Sequence, residues 1–221
     1  MIRFTRALIL ALPLALPLAL SAAAVPGLSQ MPTEQPGKPD KSRVTAGSYT
    51  ADPSHSLIGW QVNHLGFNDY FGLFGDVGGT LVLDPANPAA AKVTATIPVA
   101  KILTVNPALT AHLLKPAPEG GKAEFFGANP ADATFVSTSV VPGADGVSAA
   151  VNGNLTLNGV TKPVTLAAKF IGAGTNFFSK AQTVGFHGEA TIKRTDFGMG
   201  FFVPLVSDEV TLSITIAFEK K

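Results

Sequence analysis

Short runs in which every second residue is apolar recur along this chain, and most of them end at a turn. The clearest runs are Val93-Ala95-Ile97, Val164-Leu166-Ala168-Phe170, Val184-Phe186-Gly188-Ala190-Ile192 and Val210-Leu212-Ile214-Ile216-Phe218. Because side chains alternate across a β-strand, each run offers one apolar face and one polar face. Many such strands can bury their apolar faces together only in a sandwich or a closed barrel, so the pattern predicts an all-β domain.

The pattern predicts eight strands, at about residues 54–64, 78–84, 91–99, 132–141, 147–157, 161–171, 182–193 and 208–219. The dipeptide Asn158-Gly159 predicts a tight hairpin between the fifth and sixth of them, because both residues tolerate a positive φ. Residues 142–146, with Pro, Gly and Asp, predict another turn.

A helical insertion is predicted between the third and fourth strands. From Pro107 to Lys115 the leucines stand at helical spacing, behind a proline suited to a first helical turn. Residues 122–127 predict a second helical turn. This segment is expected to form a lid or a crossover.

The amino terminus is predicted to be a signal peptide, residues 1–24, cleaved between Ala24 and Val25. Arg3 and Arg6 precede an apolar run, and Ser21 to Ala24 supply the small residues of a cleavage site. The alternative is a membrane anchor, but the run is shorter than the ~20 residues that a spanning helix needs. Residues 25–47 are rich in proline and glycine, so they are interpreted as a flexible linker, with a short ordered arm as the alternative. The domain should then span residues 48–221, in a soluble periplasmic protein.

The charge of the chain excludes several classes of partner. Removal of residues 1–24 takes away two basic residues and no acidic ones, which leaves 14 basic and 15 acidic residues and a net charge of −1. A nearly neutral chain has no electrostatic footprint for nucleic acid or for an anionic membrane surface. The chain has no cysteine, so its stability must come from its core and not from disulfides.

The residues that carry chemistry form no recognisable catalytic or metal-binding motif. His55 and His64 are nine residues apart on one predicted strand and so face opposite sides, while His187 and Glu189 share a face. The group around Asp52, Ser54, His55 and Ser56 is interpreted as a strand-opening turn rather than a catalytic cluster. No metal and no cofactor are therefore expected.

Phenylalanine is frequent outside the predicted strand cores. It occurs at positions 67, 71 and 74, at 125 and 126, at 177 and 178, and at 201 and 202. Such residues either plug the mouth of a barrel or line the entrance to an apolar tunnel, and both interpretations stay open.

Six segments, in order along one domain, resemble the YceI-like family of exported lipid-binding proteins. They are the opening from Tyr49 through Trp60 to His64, Gly72-Leu-Phe74, His112-Leu113 with Phe125-Phe126 and Thr134 to Ser137, the hairpin Val151 to Val164 with Leu-Thr-Leu-Asn-Gly-Val-Thr-Lys-Pro-Val, Arg194-Thr-Asp-Phe-Gly198, and Asp208 to Leu212. The chain departs from the family at Leu103-Thr104 and Thr110-Ala111, where the family has Asp-Thr and Arg-Asp. The segment from Lys115 to Lys122 is also longer than usual.

The resemblance implies an eight-stranded antiparallel, lipocalin-like barrel around one hollow apolar tunnel. The tunnel would hold a polyisoprenoid, an isoprenoid quinone or a fatty amide, with no enzymatic step. The expected ligand-binding residues are Phe67, Phe71, Phe74, Leu113, Phe125, Phe126, Phe186 and Phe197. Two alternatives are a quinone-exchanging partner of a membrane electron-transfer system and a lipid-modifying enzyme that uses His55 or His64. A transient membrane contact and a homodimer are further expectations.

Overall fold

The computed structural model describes residues 32–221, and the predicted signal peptide and the first part of the linker lie outside them. Residues 34–221 form one compact unit. It is built from eleven strands: β1 (Gly47–Ala51), β2 (Leu57–His64), β3 (Asn68–Phe74), β4 (Gly78–Leu83), β5 (Lys92–Ile97), β6 (Ile102–Leu103), β7 (Ala133–Pro142), β8 (Ser148–Leu157), β9 (Val160–Thr175), β10 (Gln182–Lys193) and β11 (Glu209–Lys220).

Eight of these strands close into an antiparallel barrel, as predicted. The hydrogen-bonded order is β1-β4-β5-β7-β8-β9-β10-β11, and β11 pairs back onto β1. The end of β11 pairs with β1, as at Phe218 opposite Ala51, whereas its first half pairs with β2, as at Leu212 opposite Trp60. Strands β2, β3 and β6 therefore extend the sheet beyond the closed ring.

Each of the eight predicted strands overlaps an observed strand, and β1, β3 and β6 were missed. Strand β1 has five residues and β6 has two, too short for an alternation to show. Strand β3 begins with Asn68 and Asp69 and contains Gly72, residue types that are depleted in strands. It forms because the hairpin with β2 supplies its backbone partners from Ile58 to His64.

The predicted insertion contains one helix, α1 (Pro107–Leu113). Its N-cap is Asn106, whose side chain accepts a hydrogen bond from the amide of Ala108. The second predicted turn, at residues 122–127, is not helical, so that prediction was wrong. Instead the Phe126 amide donates to the carbonyl of Leu113, and Gly127 has a φ of 80° that ends any regular turn. Within residues 32–221, no helix has the length and apolar character needed to cross a bilayer.

The part of the predicted linker that the structure describes contacts the barrel. Lys38 and Ala173 of β9 exchange two backbone hydrogen bonds, of 3.1 and 2.9 Å. Residues Lys41–Arg43 form a 3₁₀ turn capped by Asp40, and the Val44 side chain is buried among barrel residues. Residues 38–44 thus lie against the barrel, where the alternative of a short ordered arm would place them.

Candidate functional site

The closed ring surrounds an apolar cavity of about 620 Å³. Inward positions of nearly every strand of the ring line it, and their side chains are aliphatic or aromatic. Examples are Leu81 on β4, Val93 on β5, Phe135 on β7, Leu166 on β9 and Ile216 on β11. Phe186 meets Phe170 and Phe218 edge to face, with centroid separations of 6.0 and 6.3 Å. We call this space the larger cavity.

A second apolar cavity, of about 500 Å³, lies where the sheet extends past the ring. It is bounded by β2, β3, helix α1, the phenylalanines at 125 and 126, and the segment from Met199 to Val206. We call this space the smaller cavity, and residues 198–207 the mouth loop.

A packed cluster separates the two cavities. It contains Phe135 and Leu155, which line the larger cavity, and Leu157 and Met199, which line the smaller one. Phe197, 1% exposed, belongs to this cluster and lines neither cavity. The expectation of one hollow tunnel is therefore corrected: side chains divide the interior into two compartments.

Six of the eight predicted ligand-binding residues fall into three groups. Phe74, Leu113, Phe125 and Phe126 line the smaller cavity, and Phe186 lines the larger one. Phe197 lies in the packed cluster between them.

The remaining two predicted residues, Phe67 and Phe71, point to solvent. Their side chains are 86% and 61% exposed, and neither residue borders a cavity. Phe67 lies in the turn between β2 and β3, and Phe71 lies on the outer face of β3. Their placement as cavity walls is thus corrected, because the alternation within β3 sends Tyr70, Gly72 and Phe74 inward and Phe71 outward.

Sequence reasoning missed most of the larger cavity. Its walls are the ordinary inward residues of the alternating runs, such as Val164, Leu166 and Ala168. The alternation identified these residues as buried-face positions. It could not distinguish a filled core from a hollow one, since the same residue types serve both.

His112 links helix α1 to the segment that covers the smaller cavity. Its Nε2 lies 2.5 Å from a carboxylate oxygen of Glu124, and its ring meets Phe125 and Phe201 edge to face at 5.5 and 6.0 Å. The hydrogen bond from His112, against a smaller opposing effect of desolvation, lowers the pKa of Glu124. This contact holds three surrounding segments together at the smaller cavity.

Arg194 organises the mouth loop. Its guanidinium donates to four backbone carbonyls, those of Met199, Phe201, Val206 and Ser207, at 2.7 to 2.9 Å. Arg194 is 5% exposed, and desolvation lowers its pKa, opposed by the charge of Asp208. The loop thus takes its shape from a buried cation rather than from regular secondary structure.

Two polar atoms beside the smaller cavity are buried without a hydrogen-bond partner. They are Nε1 of Trp60 and the hydroxyl of Tyr70, on side chains whose ring centroids are 6.5 Å apart. Most buried polar atoms in proteins have a hydrogen-bond partner, so two unpaired donors on one wall of a cavity are uncommon.

The candidate catalytic groups do not form an active site in the described residues. Asp52 accepts from the Ser54 amide and lies 2.6 Å from Nδ1 of His55, whose side chain is 75% exposed. The buried hydroxyl of Ser56 accepts from the Ala217 amide, as a structural cap would. His64 borders the smaller cavity, and His187 borders the larger one, with its Nε2 3.4 Å from a carboxylate oxygen of Glu189. Residues 32–221 contain no group of three residues suited to a metal.

Comparison with known proteins identifies the family. The model of the YceI-like domain matches residues 49–218. A UPF0312 protein of Pseudomonas paraeruginosa is 39% identical over 176 residues, which are 79% of this chain and 87% of that protein. Protein YceI of Escherichia coli is 38% identical, with coverages of 78% and 87%.

Solved structures agree with this assignment. The crystal structure of BcnA from Burkholderia cenocepacia has a TM-score of 0.62 and 25% identity, covering 76% of this chain and 98% of that one. A polyisoprenoid binding domain from Saccharophagus degradans has the same fold, with a TM-score of 0.54, 13% identity and coverages of 78% and 98%. This chain therefore belongs to the YceI-like family, whose fold it adopts around two apolar cavities.

Proposed function

We propose that this protein binds and carries a long-chain isoprenoid-type lipid, such as a polyisoprenoid or an isoprenoid quinone, or a fatty amide. The observation that carries the proposal is the larger cavity, a space of about 620 Å³ lined by apolar side chains inside the closed barrel. Its volume lies within the roughly 300–1,000 Å³ that is common for small-molecule sites.

The binding energy would come from the hydrophobic effect, without covalent chemistry. One C5 unit removes roughly 100 Å² of apolar area from water, worth about 2.5 kcal/mol at 25 cal/mol/Å². Several buried units offset the cost of immobilising the tail and the ligand as a whole. Most of the affinity of a carrier built this way would come from the length of the buried chain.

The comparisons support a binding protein more than an enzyme. The Saccharophagus degradans domain is described as polyisoprenoid binding, although at 13% identity it shares only the fold with this chain. The absence of a catalytic constellation in residues 32–221 is consistent with a carrier.

Filling the larger cavity tests the proposal. Ala168 lies on the inner face of β9 and lines the cavity, while its neighbour Ala167 is exposed on the outer face. We expect Ala168→Phe to abolish binding of a fluorescent prenyl-chain probe, and the matched control Ala167→Phe to leave it unchanged. Organic extraction of the purified wild-type protein, followed by mass spectrometry, should recover a lipid. No lipid in the extract, together with no binding of the probe, would refute a carrier.

The carrier would act outside the cytoplasm, after removal of residues 1–24. The intact mass of the protein purified from a periplasmic extract should then equal the mass calculated for a chain that begins at Val25. A mass that includes residues 1–24 would contradict export by this route. A homodimer is a separate prediction. Light scattering on the protein eluted from a sizing column should then give twice the mass of one chain.

Exposed apolar residues beside the smaller cavity support a transient membrane contact during loading. Phe67, Leu65, Phe202 and Leu205 are 86%, 43%, 52% and 55% exposed, and the Leu65 amide donates to the Leu205 carbonyl. Co-sedimentation with phosphatidylcholine vesicles should decrease in Phe67→Ser. Unchanged co-sedimentation in this variant would argue against membrane contact through these exposed apolar residues.

A further inference from the structure

We propose that the N-terminal arm, residues 36–46, is part of the ligand site, and that its Lys41 selects a chain that ends in an anionic head group. The arm covers one side of the larger cavity, and the apolar tail of the ligand would lie behind it. This inference rests on the proposed lipid binding and adds the charge of the head group to it.

The arm is held against the barrel by several independent contacts. Lys38 exchanges two backbone hydrogen bonds with Ala173 of β9, and Nε2 of Gln182 donates to the Arg43 carbonyl at 2.8 Å. Nη1 of Arg43 donates to the Pro36 carbonyl at 3.1 Å, which closes the arm on itself. Val44, 9% exposed, packs in a cluster with barrel residues such as Val184.

Two glycines of β9 form the seat of the arm. A Cβ atom at Gly174 would overlap the carbonyl oxygen of Pro36, and one at Gly172 would lie 3.1 Å from that of Lys38. Neither glycine has a φ in the left-handed region, so the backbone would accept alanine and only the space forbids it. The absence of side chains here lets the arm approach the strand closely.

Three arm residues, Lys41, Ser42 and Val44, line the larger cavity. Of the described residues around this cavity, Lys41 is the only lysine or arginine, and none is aspartate or glutamate. A charged group beside an apolar space favours a ligand of opposite charge at that point.

The position of Lys41 suits a head group at the rim. Its Nζ would lie 2.6 Å from a Cβ at Gly146, in the turn between β7 and β8, whose neighbours Val147 and Ser148 also line the cavity. The nearby Asp145 carboxylate already accepts from the amides of Val147 and Ser148. No ion pair of Lys41 occurs within residues 32–221. Its ammonium is thus available to a carboxylate or a phosphate.

The arm lies outside the part of the chain that the family model matches, residues 49–218. The head-group preference would therefore come from a segment that precedes the family domain in this chain.

Calorimetric titration with two ligands of equal chain length tests the inference. The probes are geranylgeranyl monophosphate and geranylgeraniol. We expect the wild type to bind the phosphate about fivefold more tightly, near the upper end for an exposed ion pair. Lys41→Met should bind both probes equally, and Lys41→Arg should keep the preference. Because Lys41 is exposed, these variants should fold normally.

A second pair of variants tests the seat of the arm. Gly174→Ala should displace the arm, abolish the preference for phosphate, and speed tryptic cleavage between Lys38 and Arg43. The matched control is Gly185→Ala on the neighbouring strand β10, where a Cβ would be 3.8 Å from the Gly172 carbonyl oxygen. It should keep both the preference and the slow cleavage.

The possible outcomes separate this inference from the proposed function. If the wild type binds both probes equally, or Lys41→Met keeps the preference, the role of Lys41 is overturned while lipid binding stands. Displacement of the prenyl phosphate by an equal concentration of inorganic phosphate would also overturn it, since the site would then recognise a free anion. If neither probe binds the wild type, the proposed function itself fails.

Discussion

At the scale of single residues, Trp60 depends on the glycine opposite it. Trp60 on β2 pairs with Gly72 on β3, and the six-membered ring of the indole occupies the space that a side chain at position 72 would need. This arrangement buries Trp60, the only tryptophan of the chain, to 8% exposure. The glycine that interrupts the β3 pattern thus makes room for a wall of the smaller cavity.

Replacing Gly72 by alanine should therefore push Trp60 out of its position. Overpacking of this kind costs about 1–3 kcal/mol, and the tryptophan emission should shift because its surroundings change. Urea unfolding monitored by fluorescence measures both effects. Gly59→Ala is the control, since a Cβ there would meet its nearest atom at 3.6 Å. An unchanged unfolding midpoint in Gly72→Ala would contradict the packing described.

A second residue-scale effect is the pairing of His55 with Asp52. The hydrogen bond from His55 to the Asp52 carboxylate, reinforced by its charge, raises the pKa of His55 above the ordinary 6.5. The stabilisation from this contact is complete below pH 6.5 and is lost as the pH rises through the raised pKa.

Asp52→Asn should return the pKa of His55 toward 6.5, because the amide carries no charge. An NMR titration of the His55 ring measures this directly. The control is Asp69→Asn, which alters a carboxylate that accepts hydrogen bonds from Gln61 and Asn63. It should leave the pKa of His55 unchanged. A His55 pKa that is the same in wild type and Asp52→Asn would show that the contact does not form in solution.

At the scale of elements, the mouth loop depends on a residue outside it. Loops normally satisfy their backbone through turns or water, whereas here one guanidinium serves four carbonyls of the segment. Lysine keeps the charge, but its single ammonium group cannot reach all four carbonyls as the planar guanidinium does.

Arg194→Lys should lower the free energy of unfolding by about 2–3 kcal/mol, since buried carbonyls lose their donor. Hydrogen exchange of the amides in residues 198–207 should accelerate. The adjacent Lys193 is exposed, so Lys193→Met should change stability by less than about 0.5 kcal/mol. Equal exchange rates in wild type and Arg194→Lys would remove Arg194 from its organising role.

The elements also show where local patterns suffice. Asn158 and Gly159 adopt φ values of 52° and 76° in the β8–β9 hairpin, as their residue types predict. The Asn158 side chain additionally donates to the carbonyl of Phe197, 39 residues away, which no local pattern indicates. The predicted turn at residues 122–127 failed for the same reason, because its backbone bonds to α1 instead of to itself.

At the scale of the whole molecule, the apolar side chains around the larger and the smaller cavity have few protein packing partners on the cavity side. Such spaces forgo dispersion contacts that a filled core would make. A ligand that occupies the larger cavity would restore these contacts, so binding and stability should be linked.

Saturation with a prenyl-chain ligand at 100 times its Kd should stabilise the wild type by about 2.7 kcal/mol. For a domain of this size the Tm should rise by about 5–10 °C. Ala168→Phe, in which the new ring obstructs the cavity, should show no such rise, and Ala167→Phe should behave like the wild type. Differential scanning calorimetry at several ligand concentrations gives the comparison. A ligand-dependent rise in Ala168→Phe would place the ligand elsewhere.

Local patterns along the chain are sufficient to establish which face of each long strand is apolar, the all-β class, the Asn158-Gly159 hairpin and, through the motifs, the family. These are local properties with a period of two, and they survive whatever the strands pair with. The three-dimensional fold is needed to establish that β11 is shared between β1 and β2, that Phe67 and Phe71 face solvent, and that the larger and smaller cavities lie in the interior. It also seated the arm on Gly172 and Gly174. The closure of the barrel depends on the register between strands that are distant in the chain, and the volume of its cavities depends on the summed volumes of the inward side chains. Neither quantity can be read from a short stretch of residues.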